Sequence, residues 1–158
     1  MIILGIDPGL ATIGYGVIQV ARDNFKEIDY GVITTSSKSD MLKRLMKIEK
    51  EIRKLVRKYK PKIIACEDIF FYKNVKTAFL VGQARGVILL ACAKEKVGVK
   101  SYTPLQIKLS VVGYGRATKN QVQKMVKNIL KLRDIPKSDD AADALAVALT
   151  HAFLSKDK

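Results

Sequence analysis

Between Lys62 and Asp68 the chain carries Ile63, Ile64, Ala65 and Cys66, a run apolar on both faces and closed by the two acids Glu67 and Asp68. A strand that faces water on one side alternates apolar and polar residues, whereas a strand without alternation is covered on both sides, the usual situation in a parallel sheet. Parallel neighbours need a crossover of about a dozen residues or more, most often a helix. The preceding segment supplies one. From Asp40 to Tyr59, Leu42, Leu45, Met46, Ile52, Leu55, Val56 and Tyr59 recur at helical spacing, Lys and Arg fill the other face, and Pro61 marks the end. Residues 2–7, the apolar opening of the chain, read as the parallel partner of this buried strand.

Residues 13–20 and 27–34 read as two further strands, set off by the Pro8–Gly9 turn and by the polar segment Arg22 to Lys26. Connections this short predict an antiparallel meander. Residues 75–95 read as a helix apolar nearly all round, with VILLACA on one part and Ala78, Gly82, Ala84 and Gly86 on another. Such a helix needs cover on two sides: it is either the central core helix or, the arrangement expected here, one packed between the sheet and a second subunit. Gly98 to Thr103 reads as a fifth strand stopped by Pro104, and 105–120, containing SVVGYGRATKN, as a glycine-broken basic loop. A helix from Asn120 to Leu132 turns Val122, Met125, Val126, Ile129 and Leu130 inward, and a last helix runs from Asp139 to Leu154. No repeat or linker divides the 158 residues, so one domain spanning 1–158 is expected. The class is α/β, a five-stranded mixed sheet flanked by helices.

Lys plus Arg number 29 against 15 Asp plus Glu, a net charge of +14. A positive field of that size concentrates polyanions, of which nucleic acid is the most abundant in a cell. The bland alternative is a lysine-rich solvated surface without phosphate contacts. An anionic membrane surface ranks last, because the chain has no Trp to anchor an amphipathic helix. The longest apolar run, Val87 to Ala93, is far shorter than the roughly 18 residues of a helical span. Met1 leads into the first strand without a basic leader, so a cytoplasmic protein is expected. Cys66 and Cys92 lie in apolar stretches without zinc or disulfide spacing and read as buried, reduced thiols.

In so basic a chain the acids are the informative residues. Asp7 and Glu67 each end a buried strand and converge if those strands are parallel neighbours. Asp140 and Asp143 are spaced to share one face of a helix, about 5–6 Å apart at Cβ, in a first turn where the helix dipole offsets their repulsion. Oxygen ligands without His or Cys select a hard cation, Mg²⁺ or Mn²⁺. Two such ions roughly 3.5–4 Å apart serve phosphodiester hydrolysis. Plainer readings stand beside this one: an Asx-turn for Asp7 before Pro8 and Gly9, and helix capping for Asp139 and Asp140.

Five ordered segments, ILGIDPGLATIGYGVI, CEDIFFYKN, GQARGVILLA, SVVGYGRATKNQVQKMV and DAADALAVALTH, resemble the RuvC family of Holliday junction resolvases, within the RNase H-like nuclease superfamily. The resemblance spans nearly the whole chain. It implies an RNase H-like fold and a homodimer that binds four-way junction DNA, nicks two opposed strands, and uses Mg²⁺ (Mn²⁺ as the alternative), two ions per site. It further implies delivery by a branch-migration motor. By motif position it assigns the catalytic, metal-holding carboxylates to Asp7, Glu67, Asp140 and Asp143, and DNA contacts to Lys108 and Lys119. Arg116 is a further phosphate candidate, and Phe70 the ring that matches the family's base-stacking position. Asp68 and Asp139 are extra acids beside the expected ones. Strand alternation turns Asp68 away from the face of Glu67, and the DAAD spacing leaves Asp139 as a cap. Three other functions are weaker. An RNA nuclease of the same fold is disfavoured by the DAAD ending and the GYGRATK loop. An actin-like phosphotransferase, suggested by DPG followed by TIGYGV, needs a second lobe, and a non-catalytic basic module needs no convergent acids.

Overall fold

The computed structural model describes residues 1–22, 24–69 and 75–155. Its elements are β1 (Ile2–Asp7), β2 (Thr12–Ala21), β3 (Asn24–Thr34), α1 (Met41–Tyr59), β4 (Ile63–Glu67), α2 (Val75–Lys94), β5 (Val99–Tyr102), α3 (Pro104–Val112), α4 (Lys119–Leu130) and α5 (Asp139–Leu154). The sheet order is β3-β2-β1-β4-β5. β1, β2 and β3 form the expected antiparallel meander, and β4 joins β1 in parallel with β5 beyond it. This is the RNase H-like α/β fold.

Strand alternation divides the core between two layers. Leu4, Ile6, Ile64 and Cys66 point to one face and pack with Ile48, Ile52 and Val56 of α1 and with Ala84, Ile88 and Cys92 of α2. Ile3 and Ala65 point to the other, under Leu145, Ala148 and Leu149 of α5, with Ile107 of α3 and Val126 of α4 completing that layer. Both cysteines are buried and free, and burial pushes each thiol up to about 12.

Four expectations need correction. The basic loop read over 105–120 begins as a helix: Thr103 and Gln106 form a capping box, and Pro104, taken as a strand stop, occupies the first turn of α3, where its missing N–H costs nothing. The polar segment Arg22 to Lys26 is no spacer, since β3 already starts at Asn24 and pairs with Ala21. In α1 the buried side is Ile48, Ile52 and Val56, while Leu42 and Met46, counted inward from their spacing, are 68% and 71% exposed. Finally, α2 alone among the described residues is long and apolar enough to cross a membrane by length and composition, so the shortness of its longest apolar run was not decisive. One side of α2 packs into the α1 layer, where Glu95 just beyond it binds Arg53 (2.6 Å) and Arg57 (2.8 Å); Phe79, Gly86 and Leu90 are exposed.

The contact that brings α5 onto the sheet runs through glycine. A Cβ at Gly5 would stand 2.0 Å from the Ala144 carbonyl oxygen, and one at Gly14 would stand 1.9 Å from that of Asp140. With Ala141, Ala144 and Ala148 buried on the helix side, backbone meets backbone. Gly5→Ala is therefore expected to lower stability by about 1–3 kcal/mol through overpacking, read as a lower urea midpoint with an unchanged slope.

Candidate active site

The parallel register pairs Ile3 with Ile63 and Ile6 with Cys66, which brings the carboxyl ends of β1 and β4 level and sets Asp7 beside Glu67. Both side chains follow the alternation of Ile3 and Ala65 to the α5 side of the sheet. Across the antiparallel pair Asp7 faces Gly14, the residue on which the Asp140 backbone rests. The glycine contact thus carries the first turn of α5 to the end of β1. Asp143 lies one turn further along the same helix face. The structure therefore carries Asp7, Glu67 and Asp143 to one end of the sheet, with the first turn of α5 bringing Asp140 close enough for its charge to act on Asp7.

Burial and mutual repulsion act on these carboxyls together. Burial, and after it the charges of Glu67, Asp143 and Asp140, push the Asp7 carboxyl up to about 8. Burial also raises Glu67, with Asp143 adding to the effect and a hydrogen bond from Asp7 opposing it. Protonated Asp7 donates and Glu67 accepts, one proton shared where two full charges are costly. Asp143 is likewise raised by burial, against the pull of Lys119. Lys119 opens α4 behind the capping box of Thr118 and Gln121, and its Nζ lies 3.0 Å from Asp143 Oδ2 and 3.4 Å from Asp139 Oδ2. Glu67, Asp143, Lys108 and Lys119 line a cleft of about 190 Å³ floored by Ile107 and Ala146.

The remaining candidates are placed differently. Arg116 is exposed in the turn between α3 and α4, and Phe70 lies outside the described residues. Asp68 turns to the opposite face of the sheet, where Arg85 Nη2 stands 3.1 Å from its Oδ1. Asp139 is not the cap: Ser138 holds that position, without a side-chain hydrogen bond, and Asp139 is the first helical residue. Its Oδ1 accepts from Gln123 Nε2 at 2.7 Å, which with Lys119 holds its carboxyl below the ordinary range. Sequence reasoning missed Gln123, a buried amide on an otherwise apolar helix face, and the role of Gly14. The alternation of Gly14 and Gly16 with large residues was the available sign.

Among the described residues no three His, Cys, Asp or Glu side chains form a ready metal cage as they stand. The donor chemistry nevertheless fits a hard divalent cation. Every donor is a carboxylate oxygen, three of the four carboxyls are raised by burial, and the positive charge now beside them comes from Lys119 and a shared proton.

Residues 3–151 match the family described as crossover junction endodeoxyribonuclease RuvC. The chain is 54% identical over 152 residues to the RuvC of Alkaliphilus oremlandii, covering 96% of this chain and 93% of that one. It is 54% identical over 158 residues to the RuvC of Finegoldia magna, covering 100% and 96%. Among solved structures it superposes on Thermus thermophilus RuvC in complex with a Holliday junction substrate with a TM-score of 0.95, at 35% identity over 99% of this chain and 96% of that one.

The raised Asp7 carboxyl makes stability depend on pH. Between about pH 4 and 8 the folded protein retains a proton that the unfolded chain has lost, so in chelator stability falls as pH rises through this window and levels off above it. Asp7→Asn removes that proton. At pH 8 in chelator the variant is expected to be more stable than the parent by roughly 1–3 kcal/mol, seen as a higher melting temperature, with the gap closing toward pH 4.

Proposed function

The chain belongs to the RuvC family of crossover junction endodeoxyribonucleases, and on that basis we propose that it resolves four-way DNA junctions by paired nicks, residues 1–158 acting as one nuclease domain. The observation that carries this reading is the convergence of Asp7, Glu67 and Asp143 at one end of β1, β4 and α5, beside Lys119. The members of this family are DNA hydrolases dependent on divalent metal. Asp7, Glu67, Asp140 and Asp143 would hold two Mg²⁺ ions, with Mn²⁺ able to replace them. When bound, such ions supply an activated water on one side of the phosphodiester and stabilise the departing oxygen on the other.

The chain's own groups position the strand. Lys108 on the cleft wall and Lys119 at its rim offer cations to the phosphates beside the scissile bond, and Arg116 extends the basic surface outward. Lys119 is held by Asp143 and Asp139, so it stands at the acids before any phosphate arrives. Phe70, following β4, is assigned to stacking on an unpaired base at the junction centre.

The exposed side of α2, with Phe79, Gly86 and Leu90, is assigned to a homodimer contact. A Cβ at Gly86 would meet nothing within 4 Å, which leaves room for the close approach of a second helix. A two-fold dimer relates two active sites to two equivalent strands, which accounts for paired cuts. The protein would work in the cytoplasm on junctions supplied by a branch-migration motor.

The test is cleavage of a labelled four-way junction and a matched linear duplex with Mg²⁺, with Mn²⁺ and with chelator, mapping every strand. Symmetry-related nicks in the junction alone, dependent on metal, are expected; binding without cuts under either metal would overturn the reading. Asp7→Asn is expected to abolish nicking while leaving junction affinity intact, checked by gel shift in chelator, because it removes a ligand without removing positive charge. If the surface neutralises about 6–10 phosphates, duplex affinity is expected to drop by roughly 10³–10⁵ between 50 and 200 mM salt, and a flat response would remove the electrostatic part of the argument.

A further inference from the structure

Glu67 ends β4 on the α5 side of the sheet, and the next residue turns to the opposite face, into a clamp that the catalytic reading leaves unexplained. Arg85 reaches from the inner side of α2 with only 20% of its side chain exposed. Its Nη2 donates to Ser101 Oγ of β5 at 2.7 Å and stands 3.1 Å from Asp68 Oδ1. The Asp68 backbone N–H donates to the Tyr102 carbonyl at 2.8 Å, and Asp68 Oδ1 also accepts from the N–H of Ile69 at 3.2 Å. The residue after Glu67 is thus fixed by its main chain to β5 and by its side chain to α2.

We propose that Arg85 is a positioning residue for the reaction: by holding Asp68 on the α2 face, it fixes the end of β4 and so the direction in which Glu67 enters the acidic site. The proposal rests on the reading of Glu67 as a catalytic carboxylate. Successive side chains on a strand point to opposite faces, so anchoring one sets the other. Arg85 Nη2 joins a hydrogen bond to Ser101 with an ion pair to Asp68, so one guanidinium nitrogen ties α2 to β5 and to the end of β4. The guanidinium faces the Cys66 side of β4, away from the cleft. It therefore acts on the reaction only through the backbone it holds. Because α2 also carries the face assigned to the dimer contact, the clamp links that helix mechanically to the catalytic strand.

The test compares Arg85→Met, Arg85→Lys, Asp68→Asn, the Arg85→Met/Asp68→Asn double variant and Glu67→Gln in the full chain. Single-turnover junction cleavage is measured across Mg²⁺ concentration, junction affinity in chelator, and hydrogen exchange at the Asp68 amide in metal-free protein. Arg85→Met and Asp68→Asn are expected to slow cleavage by about 10–100-fold, the range seen when a group supporting a metal ligand is lost. They should also raise the Mg²⁺ concentration giving half-maximal rate, speed exchange at the Asp68 amide, and leave junction affinity within about three-fold. The double variant is expected to be no slower than Arg85→Met alone, because the two changes break one clamp, and Arg85→Lys to recover part of the rate. Should Arg85→Met fail to fold, Asp68→Ala, which removes the Oδ1 that Arg85 meets, decides in its place with the same readouts. Wild-type cleavage and exchange in Arg85→Met and Asp68→Asn, with Glu67→Gln inactive, would overturn the clamp and leave the nuclease reading standing. An active Glu67→Gln would overturn the role of Glu67 itself.

Discussion

The contact between the α5 backbone and the β1–β2 hairpin is the constraint from which the site follows. Side chains standing between a helix and a sheet hold the two layers apart. Here Gly5 and Gly14 supply no side chain, the helix opposes them with Ala144, Ala148 and the Asp140 backbone, and the layers close up. The same approach buries the helix: every residue from Ala144 to Ala152 is inaccessible or nearly so. Dense packing and the placement of the acids therefore have one cause, and a methyl group added at Gly5 or Gly14 disturbs both.

Gathering four carboxylates is costly in any protein, and this one limits the cost in identifiable ways. Asp139 and Asp140 sit in the first turn of α5, where the helix dipole is positive, and Asp143 lies one turn further on. Lys119 spans Asp143 and Asp139, Gln123 donates to Asp139, and Asp7 keeps a proton that it shares with Glu67. Asp68, the acid that would have added a further charge, is turned to the other face and paired with Arg85. What remains is the cost of burying Asp7, Glu67 and Asp143 together, a local instability of the kind that proteins carry at functional sites at the expense of the fold.

Much of this architecture was readable from periodicity. The unalternating IIAC run required a parallel neighbour and a crossover, and both are present in the observed register. The acids were legible because strand ends and a three-residue helical spacing are local properties. What escaped were features whose signal is not periodic. The helix Pro104–Val112 is announced by a capping box around a proline that also reads as a strand stop, and in this case the cap prevails. The inward face of α1 could not be assigned from hydrophobicity alone, because Leu42 and Met46 share the spacing of Ile48 and Ile52, and tertiary packing chose between them. The family resemblance assigned Lys119 to DNA, whereas its bridge to Asp139 and Asp143 depends on the angle between α4 and α5, which no short stretch of sequence specifies.

The two faces of the sheet divide the labour unevenly. The α3–α5 face holds every assigned reactive carboxylate and the lysines beside them, and the α1–α2 face holds the buried thiols, held inert by burial, and the Arg85 anchor. A strand passes information between such faces only through alternation, so the turn from Glu67 to Asp68 is the shortest connection from α2 to the acids. On the proposed reading, a helix whose outer side leaves Phe79 and Leu90 exposed and whose inner side meets Asp68 through Arg85 would make the geometry of one site depend on what that helix touches. In a two-fold assembly that dependence would act equally on both sites, which is the symmetry that two matched cuts require.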